Sequence, residues 1–518
     1  MAAIVTDQFR ILNASNFVDS VTDTSNAYYV FVGLSNPGTS GFGRKSTTAA
    51  WDADIPNPTD NINYMNFVGD NTSFGKKVTS ANVRRLIRRI NWARGTKYEM
   101  YRHDYSLSNQ SPITNSSRLY DANYYVMNSE YKVYICIDNG SSGISTTGNA
   151  SLDEPTFTDL EPSKAGVSGD GYQWKYLFSV SPSDIVKFDS TDYISVANDW
   201  ASSTNAQIQS VRDNGNSDTN ENQIKKVYIE NQGVGYANGT GQEVNILGDG
   251  SGGKVVVDVV NGKITNAVVS SGGKGYTYGM VDLGTLNASA STKASLIPII
   301  PPSKGHGSDI YKELGSDRVL VYARFDDSTK DFPVNTSFSQ IGIVKNPTSI
   351  GSTSTFTENQ FSSVGAFKFS SNTGTPVIGE SVKQTVTGGV AKGYVVSWDT
   401  ETKILKFVQE RTPHLNQTTF DTTDYVGVST NSAVYAFESN TNAVTTTGGF
   451  SGSVDTSFTG ITTNPTGTKL IALGTQFTNG VASAEINKKS GDIIYLDNRP
   501  LISRNARQKE DVKIILEF

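Results

Sequence analysis

Few residues in this sequence have the type and spacing that chemistry requires. Cys136 is the only cysteine, and His103, His306 and His414 lie more than a hundred residues apart. A thiol nucleophile needs a base beside it, and a zinc site of the multi-cysteine kind needs several such ligands. Cys136 sits inside the apolar run Tyr131–Ile137, which predicts a buried, inert thiol. The string Gly248-Asp249-Gly250-Ser251-Gly252-Gly253 has the letters of a dinucleotide fingerprint. That mechanism needs a helix N-terminus after the glycines, to meet the pyrophosphate. Lys254–Val260 follows instead, which is strand material, so the glycines read as a hairpin turn. No G-x-S-x-G elbow, P-loop or H-E-x-x-H is present. Fifty acidic residues allow many carboxylate pairs, but nothing selects two of them. The chain therefore reads as having no catalytic constellation, no cofactor and no metal centre.

The densest charged feature is Arg84-Arg85-Leu86-Ile87-Arg88-Arg89, with Trp92 just beyond. Val83, Leu86, Ile87 and Ile90 fall at the spacing of one apolar helical stripe, which predicts a short helix over 80–91. On that helix Arg85, Arg88 and Arg89 share a side. Two readings stay open. The cluster contacts an acidic partner surface or phosphate, or it pairs with the chain's own carboxylates. Trp92 favours an anchored contact, so Arg88, Arg89 and Trp92 are the candidate interface residues. The string Gly169–Phe178 (GDGYQWKYLF) is the most distinctive. Alternation places Tyr172, Trp174, Tyr176 and Phe178 on one strand face, more often core than ligand platform.

The elements that must position these residues read as mainly β. Charged residues make up 18% of the 518, and 48 are glycine. That argues against coiled coils and long exposed helices. The 10% aromatic content and a net charge of −6 fit a chain that buries a core, with no general attraction to nucleic acid or anionic membranes. The N-terminus has no signal-peptide pattern, and no apolar run is long enough to span a bilayer. With a single cysteine there is no intrachain disulfide, which suits a reducing cytosol. Strands are predicted at Tyr131–Ile137, Gly171–Val180, Arg318–Phe325, Phe338–Val344, Val377–Gln384, Gly393–Trp398, Ile404–Gln409, Ala433–Phe437, Ile493–Leu496 and Val512–Phe518.

Two regions differ from the rest. Asn205–Gln223 reads as a linker or exposed loop. After it, Val227-Tyr228-Ile229…Gly233-Val234-Gly235-Tyr236 recurs 40 residues later as Ala267-Val268-Val269…Gly273-Lys274-Gly275-Tyr276. Each copy is an apolar strand running into a glycine turn, with a tyrosine able to cover it. Two copies cannot close a propeller, so 205–302 reads as a small two-fold β-module with Ile297–Pro302 as a rigid exit. The Ser/Thr/Gly-rich region 351–485 has evenly spaced strands, as in a small barrel or sandwich. The fold class is thus mainly β, with sandwich or barrel-like domains and a few short helices. Along the chain the regions are 1–204, 205–302, 303–350, 351–485 and 486–518.

The aromatic string resembles one in a baseplate wedge subunit of T4-like contractile-tailed bacteriophages, the gene-eight product family. Further segments are similar and keep the same order. They are Ala3-Ile4-Val5-Thr6…Phe9-Arg10…Asn16-Phe17, Arg88-Arg89…Trp92, Asp331-Phe332-Pro333 with Phe338-Ser339-Gln340-Ile341…Asn346-Pro347, Gly491–Pro500 (GDIIYLDNRP) and Ile514–Phe518. They fall in 1–204, 303–350 and 486–518, a little over half the chain, so the resemblance implies a discontinuous core with 205–302 and 351–485 as two inserts. The two inserts resemble, more loosely, β-modules that recur in phage structural proteins. The resemblance implies structural work and no catalytic residues. It implies a homodimer that packs with other baseplate wedge subunits, without direct nucleic-acid contact or membrane insertion. It also implies assembly in the host cytoplasm, a place in the virion's tail baseplate, and a part in triggering sheath contraction. A competing reading is a tail-associated glycan-binding or glycan-cleaving protein, with Tyr236, Tyr276, Tyr394 and Trp398 of the inserts as stacking residues.

Overall fold

A computed structural model describes residues 6–37, 48–216, 219–286, 290–326, 336–409, 435–460, 477–504 and 508–518. Strands take 41% of the residues and helices 13%, so the mainly β class holds. Most predicted strands form within a few residues of their expected bounds. Two readings fall partly or wholly outside the described residues: Ala433-Val434, and the matched Asp331–Pro333. The matched Ala3-Ile4-Val5 and His414 lie outside them too. Tyr435–Phe437 carries no strand.

The chain divides into two compact units, one of Met1–Val18, Arg84–Leu320 and Ile515–Phe518, the other of Asp19–Val83 and Val321–Ile514. The first is built on the aromatic string. The Tyr172–Ser179 strand pairs antiparallel with Lys132–Asn139, which pairs with Tyr125–Met127. Cys136 lies opposite Trp174, and Tyr134 opposite Tyr176. Tyr172, Trp174, Tyr176 and Phe178 are all buried, as is the alternate face at Lys175 and Leu177. The stripe is therefore core, and a strand covered on both faces reads as a continuous run. Ser181 ends it, and its Oγ accepts from the Asp184 amide to cap the Pro182–Phe188 helix.

Three readings need correction. Residues 80–91 are not a helix: Ser80–Asn82 is a single 3-10 turn, and Val83–Arg88 is a strand paired antiparallel with Tyr193–Val196. Val83, Leu86 and Ile87 are buried through alternate faces of that strand, so their helical spacing is a coincidence of a two-sided burial pattern. Second, Asn205–Gln223 is not an open loop. Ala206–Asn214 is a helix whose Asn205 side chain accepts from the Gln207 and Ile208 amides, with Val211 buried. Third, the Val377–Gln384 strand begins later, at Ser381, because Val377–Glu380 is a turn closed by the Glu380 amide on the Val377 carbonyl. A further helix, Asp7–Thr22, buries Ile11, Ala14, Val18 and Val21, which fall at helical spacing.

Within the first unit, residues 224–300 share a hydrophobic cluster of their own. The incoming strand Val227–Asn231 pairs with the outgoing strand Ser295–Pro298, so Ile297-Pro298, read as the start of a rigid exit, belongs to a ladder. Between them a four-stranded antiparallel sheet runs in the order Lys263–Lys274, Ser251–Val260, Gly239–Gly248, Gly279–Val281. The glycine string joins two of these strands, as its hairpin reading requires. The repeat has a common geometry. Gly233, Gly235, Gly273 and Gly275 all have positive φ, a conformation only glycine adopts cheaply. A Cβ on Gly233 would lie 2.6 Å from the Tyr236 ring, and one on Gly273 would lie 2.7 Å from the Tyr276 ring. Each buried tyrosine thus packs its ring against the turn that precedes it.

The second unit holds a five-stranded antiparallel sheet in the order Gln360–Ser362, Thr72–Val78, Tyr28–Gly33, Ser337–Lys345, Asp492–Ser503. Between its last two members the chain makes a closed barrel. Six strands follow one another round it: Gly365–Thr373, Ile404–Val408, Gly389–Asp399, Ser381–Val386, Val444–Thr446 and Ser451–Val454, the last pairing back to the first. Phe367, Phe369, Trp398, Phe407 and Phe450 fill it, with Phe367 and Phe407 stacked at 4.8 Å.

The turn geometry makes a prediction for the module. Gly273→Ala adds a strained φ and a clash with the Ser251 carbonyl at 2.5 Å, whereas Gly241 has a positive φ and nothing within 4 Å. Gly241→Ala should cost about 1 kcal/mol and Gly273→Ala more than ~2 kcal/mol. Native-state hydrogen exchange of the Lys263–Lys274 strand measures both.

Candidate functional site

The arginine strand is built into its unit from both faces. Arg85 is buried. Its guanidinium donates to Ser15 Oγ at 2.6 Å, the Ile11 carbonyl at 3.1 Å and the Ser316 carbonyl at 2.8 Å, and lies 3.8 Å above the Tyr311 ring. This planar fork ties the N-terminal helix to the core, a task suited to arginine. Arg84 pairs with Asp184 at 3.1 Å, and Arg89 with Asp189. Those carboxylates stand near the two ends of the Pro182–Phe188 helix, so the two arginines clamp it. Asp184 in the first turn also suits the helix dipole.

The candidate interface residues lie together at the end of this strand. Arg88 donates to the Ala122 carbonyl at 2.8 Å and to Asn123 Oδ1 at 3.3 Å. Arg89 donates also to the Ser190 carbonyl at 2.8 Å and to Asn91 Oδ1 at 3.0 Å. Trp92 Nε1 donates to Ser151 Oγ at 3.0 Å, and its amide to the Met127 carbonyl. All three side chains are half-buried and engaged within the chain, whereas Ala93–Lys97 is exposed. The geometry is a rigid base under an exposed turn that carries Arg94 and Lys97.

The thiol of Cys136 is fully buried, and desolvation pushes its pKa well above the ordinary value. His103 Nδ1 accepts from the Ile300 amide at 3.1 Å, and burial lowers its pKa. Sequence reading missed His306, which is buried with Nδ1 2.5 Å from Glu313 Oε1, while Glu313 Oε2 accepts from the Gly307 amide. This pair fastens the loop before the Ile310–Leu314 helix, whose cap is Asp309. A His-x-x-Asp run ahead of a glutamate was its only sequence signal. Asp249, in the glycine string, accepts from the Thr277 amide and hydroxyl and the Tyr278 amide, and these bonds hold its pKa at about 2. Among the described residues no group of three or more His, Cys, Asp or Glu is placed to hold a metal ion, and no helix is long and apolar enough to cross a membrane.

Of the aromatics proposed for glycan stacking, Tyr236, Tyr276 and Trp398 are buried in their own modules and Tyr394 is half-buried. The hydroxyl of Tyr276 donates to the Ile246 carbonyl, and that of Tyr236 accepts from the Ala294 amide. Compared with known proteins, the chain matches no protein-family model and no curated protein.

Two outcomes are expected. Cys136 should resist a thiol reagent at pH 8 in the native protein and react stoichiometrically once denaturant is added. Arg85→Lys keeps the charge but loses the fork, and should cost ~2 kcal/mol or more in thermal unfolding. Arg94→Lys, on the exposed turn, should stay within about 0.5 kcal/mol.

Proposed function

We propose that this chain is a structural subunit of a phage tail baseplate wedge, a homodimer that works by packing against other wedge subunits. In this reading it takes part in baseplate assembly and in the rearrangement that triggers sheath contraction. Such a rearrangement moves packed bodies and draws its free energy from interfaces.

One observation carries the reading: segments of the resemblance that lie far apart in sequence are neighbours in the fold. In the second unit, Phe338–Ile341 and Gly491–Pro500 sit on adjacent strands, with Gln340 opposite Asn498 and their side chains bonded at 2.9 Å. The barrel lies within the interval between them. In the first unit, the ring of Phe17 on the N-terminal helix meets Phe518 at 5.6 Å, and Arg10 lies 3.9 Å from Glu517. A shared core with two modules set into it would give this arrangement. The rigid base of Arg88, Arg89 and Trp92 then supports the exposed turn 93–97 as a subunit contact.

Antibody raised against the chain should label the baseplate end of virions that carry its gene. Phage lacking the gene should yield no contractile tails. Label elsewhere, or infectious particles without the protein, would overturn the reading. In solution the chain should have the mass of a dimer by light scattering. Arg94→Glu and Arg88→Ala/Arg89→Ala should weaken its binding to the purified neighbouring wedge subunit at least tenfold. Unchanged affinity in both would remove the assignment of this interface. Saccharide depolymerisation at low micromolar protein would favour the glycan reading instead.

A further inference from the structure

The barrel joins its sheet through a neck that is poorly satisfied for a buried place. The incoming side is Gln360–Ser362, paired with the Thr72–Val78 strand through Phe361 opposite Gly75. The outgoing side is Glu485, whose amide donates to the Ser362 carbonyl at 2.9 Å and whose carboxylate accepts from the Ser362 amide at 2.6 Å. These two bonds join the neck's two sides, while the Ser363 amide donates to the Ser73 carbonyl at 2.8 Å and Asn36 Nδ2 to the Ile378 carbonyl at 3.2 Å. Around them, polar groups are buried without hydrogen bonds: the hydroxyls of Ser362 and Ser363, and Nζ of Lys406 on the barrel strand Ile404–Val408. Lys406 Nζ lies 5.2 Å from the centre of the Phe74 ring, on the sheet. A cavity of about 340 Å³, lined in part by Ser363, Gly365, Phe407, Ser483 and Ala484, adjoins the same neck. A buried polar or charged group without a hydrogen bond costs stability that hydration returns. Every one of these groups would gain water if the neck opened, whereas the barrel's closed ladder and aromatic core would lose nothing.

We propose that this neck is a built-in hinge, at which the barrel opens away from the sheet as one body because opening hydrates Lys406, Ser362 and Ser363. The state of Lys406 and Glu485 tunes it. Desolvation raises the Glu485 pKa to about 7 and lowers that of Lys406 to about 8. The other charged groups acting on the pair are acidic: Glu358 on Glu485, and Asp399 on Lys406. Because the closed neck holds the Glu485 proton more tightly than the open one, closure is favoured below the ordinary glutamate range and this advantage is lost as pH rises through about 7. For Lys406 the closed neck prefers the neutral amine, so its contribution is lost as pH falls through about 8. The hinge should therefore open most readily between pH 7 and 8.

Hydrogen exchange with mass spectrometry on the full chain tests this. At pH 7.5 the Ser362 and Glu485 amides should exchange at least tenfold faster than those of the Gly389–Asp399 and Ile404–Val408 strands. Lys406→Met should slow neck exchange about tenfold and leave the barrel strands unchanged. After correction for the intrinsic chemical rate, wild-type neck opening should fall at least fivefold from pH 7.5 to pH 5.5, and Glu485→Gln should abolish that fall. Neck amides as protected as the barrel, faster neck exchange in Lys406→Met, or the same acid response in Glu485→Gln would each overturn the proposal.

Discussion

Backbone pairing between strands far apart in sequence is the constraint on which the rest of this protein depends. The Ser337–Lys345 strand finds its partner at Asp492–Ser503, after the chain has built a whole barrel. The Val227–Asn231 strand finds its partner at Ser295–Pro298, after a four-stranded sheet. Each such closure fixes long loops before any reward arrives, an entropy cost that grows slowly with length. That slow growth is why a module of a hundred residues can sit between two adjacent strands. The module must close on itself first, and both do so through their own hydrophobic clusters.

The two modules meet this demand differently. The first uses repetition: an apolar strand, a glycine turn and a tyrosine lying on that turn, made twice. Its tyrosines serve the turns, which removes them from solvent and from any sugar. The barrel uses ladder closure, which leaves no free edge in its ring, and packs phenylalanines from facing strands. The neck is where this economy ends. There the Ser362 and Ser363 hydroxyls and the Lys406 Nζ are buried without hydrogen bonds.

How much was legible depended on whether a residue's role was local. Turn-flanked, aromatic and β-branched runs identified the Lys132–Asn139, Tyr172–Ser179, Arg318–Asp326 and Ser337–Lys345 strands, because alternation and turn residues act over a few positions. The stretch 80–91 misled because a strand buried on both faces loses its period of two, and four apolar residues then fell at helical spacing. The arginines were legible as a cluster, but not their partners. Asp184 and Asp189 lie a hundred residues on, and Ser15 seventy residues back. The His306–Glu313 pair and Lys406 carry almost no sequence signal, since a buried ionisable group is recognised only by what surrounds it.

By itself the sequence determined the mainly β class, the turn-bound repeat and the buried setting of Cys136. These follow from residue type and spacing, which act through local geometry and burial pattern. Only the tertiary structure decided that the arginine cluster clamps a helix and binds the N-terminal segment, that Tyr236 and Tyr276 are turn covers, and that Lys406 is buried beside the Ser362–Glu485 neck. Those facts rest on contacts between distant parts of the chain, and a side chain's charge state, partner and exposure belong to the contact, not to the residue.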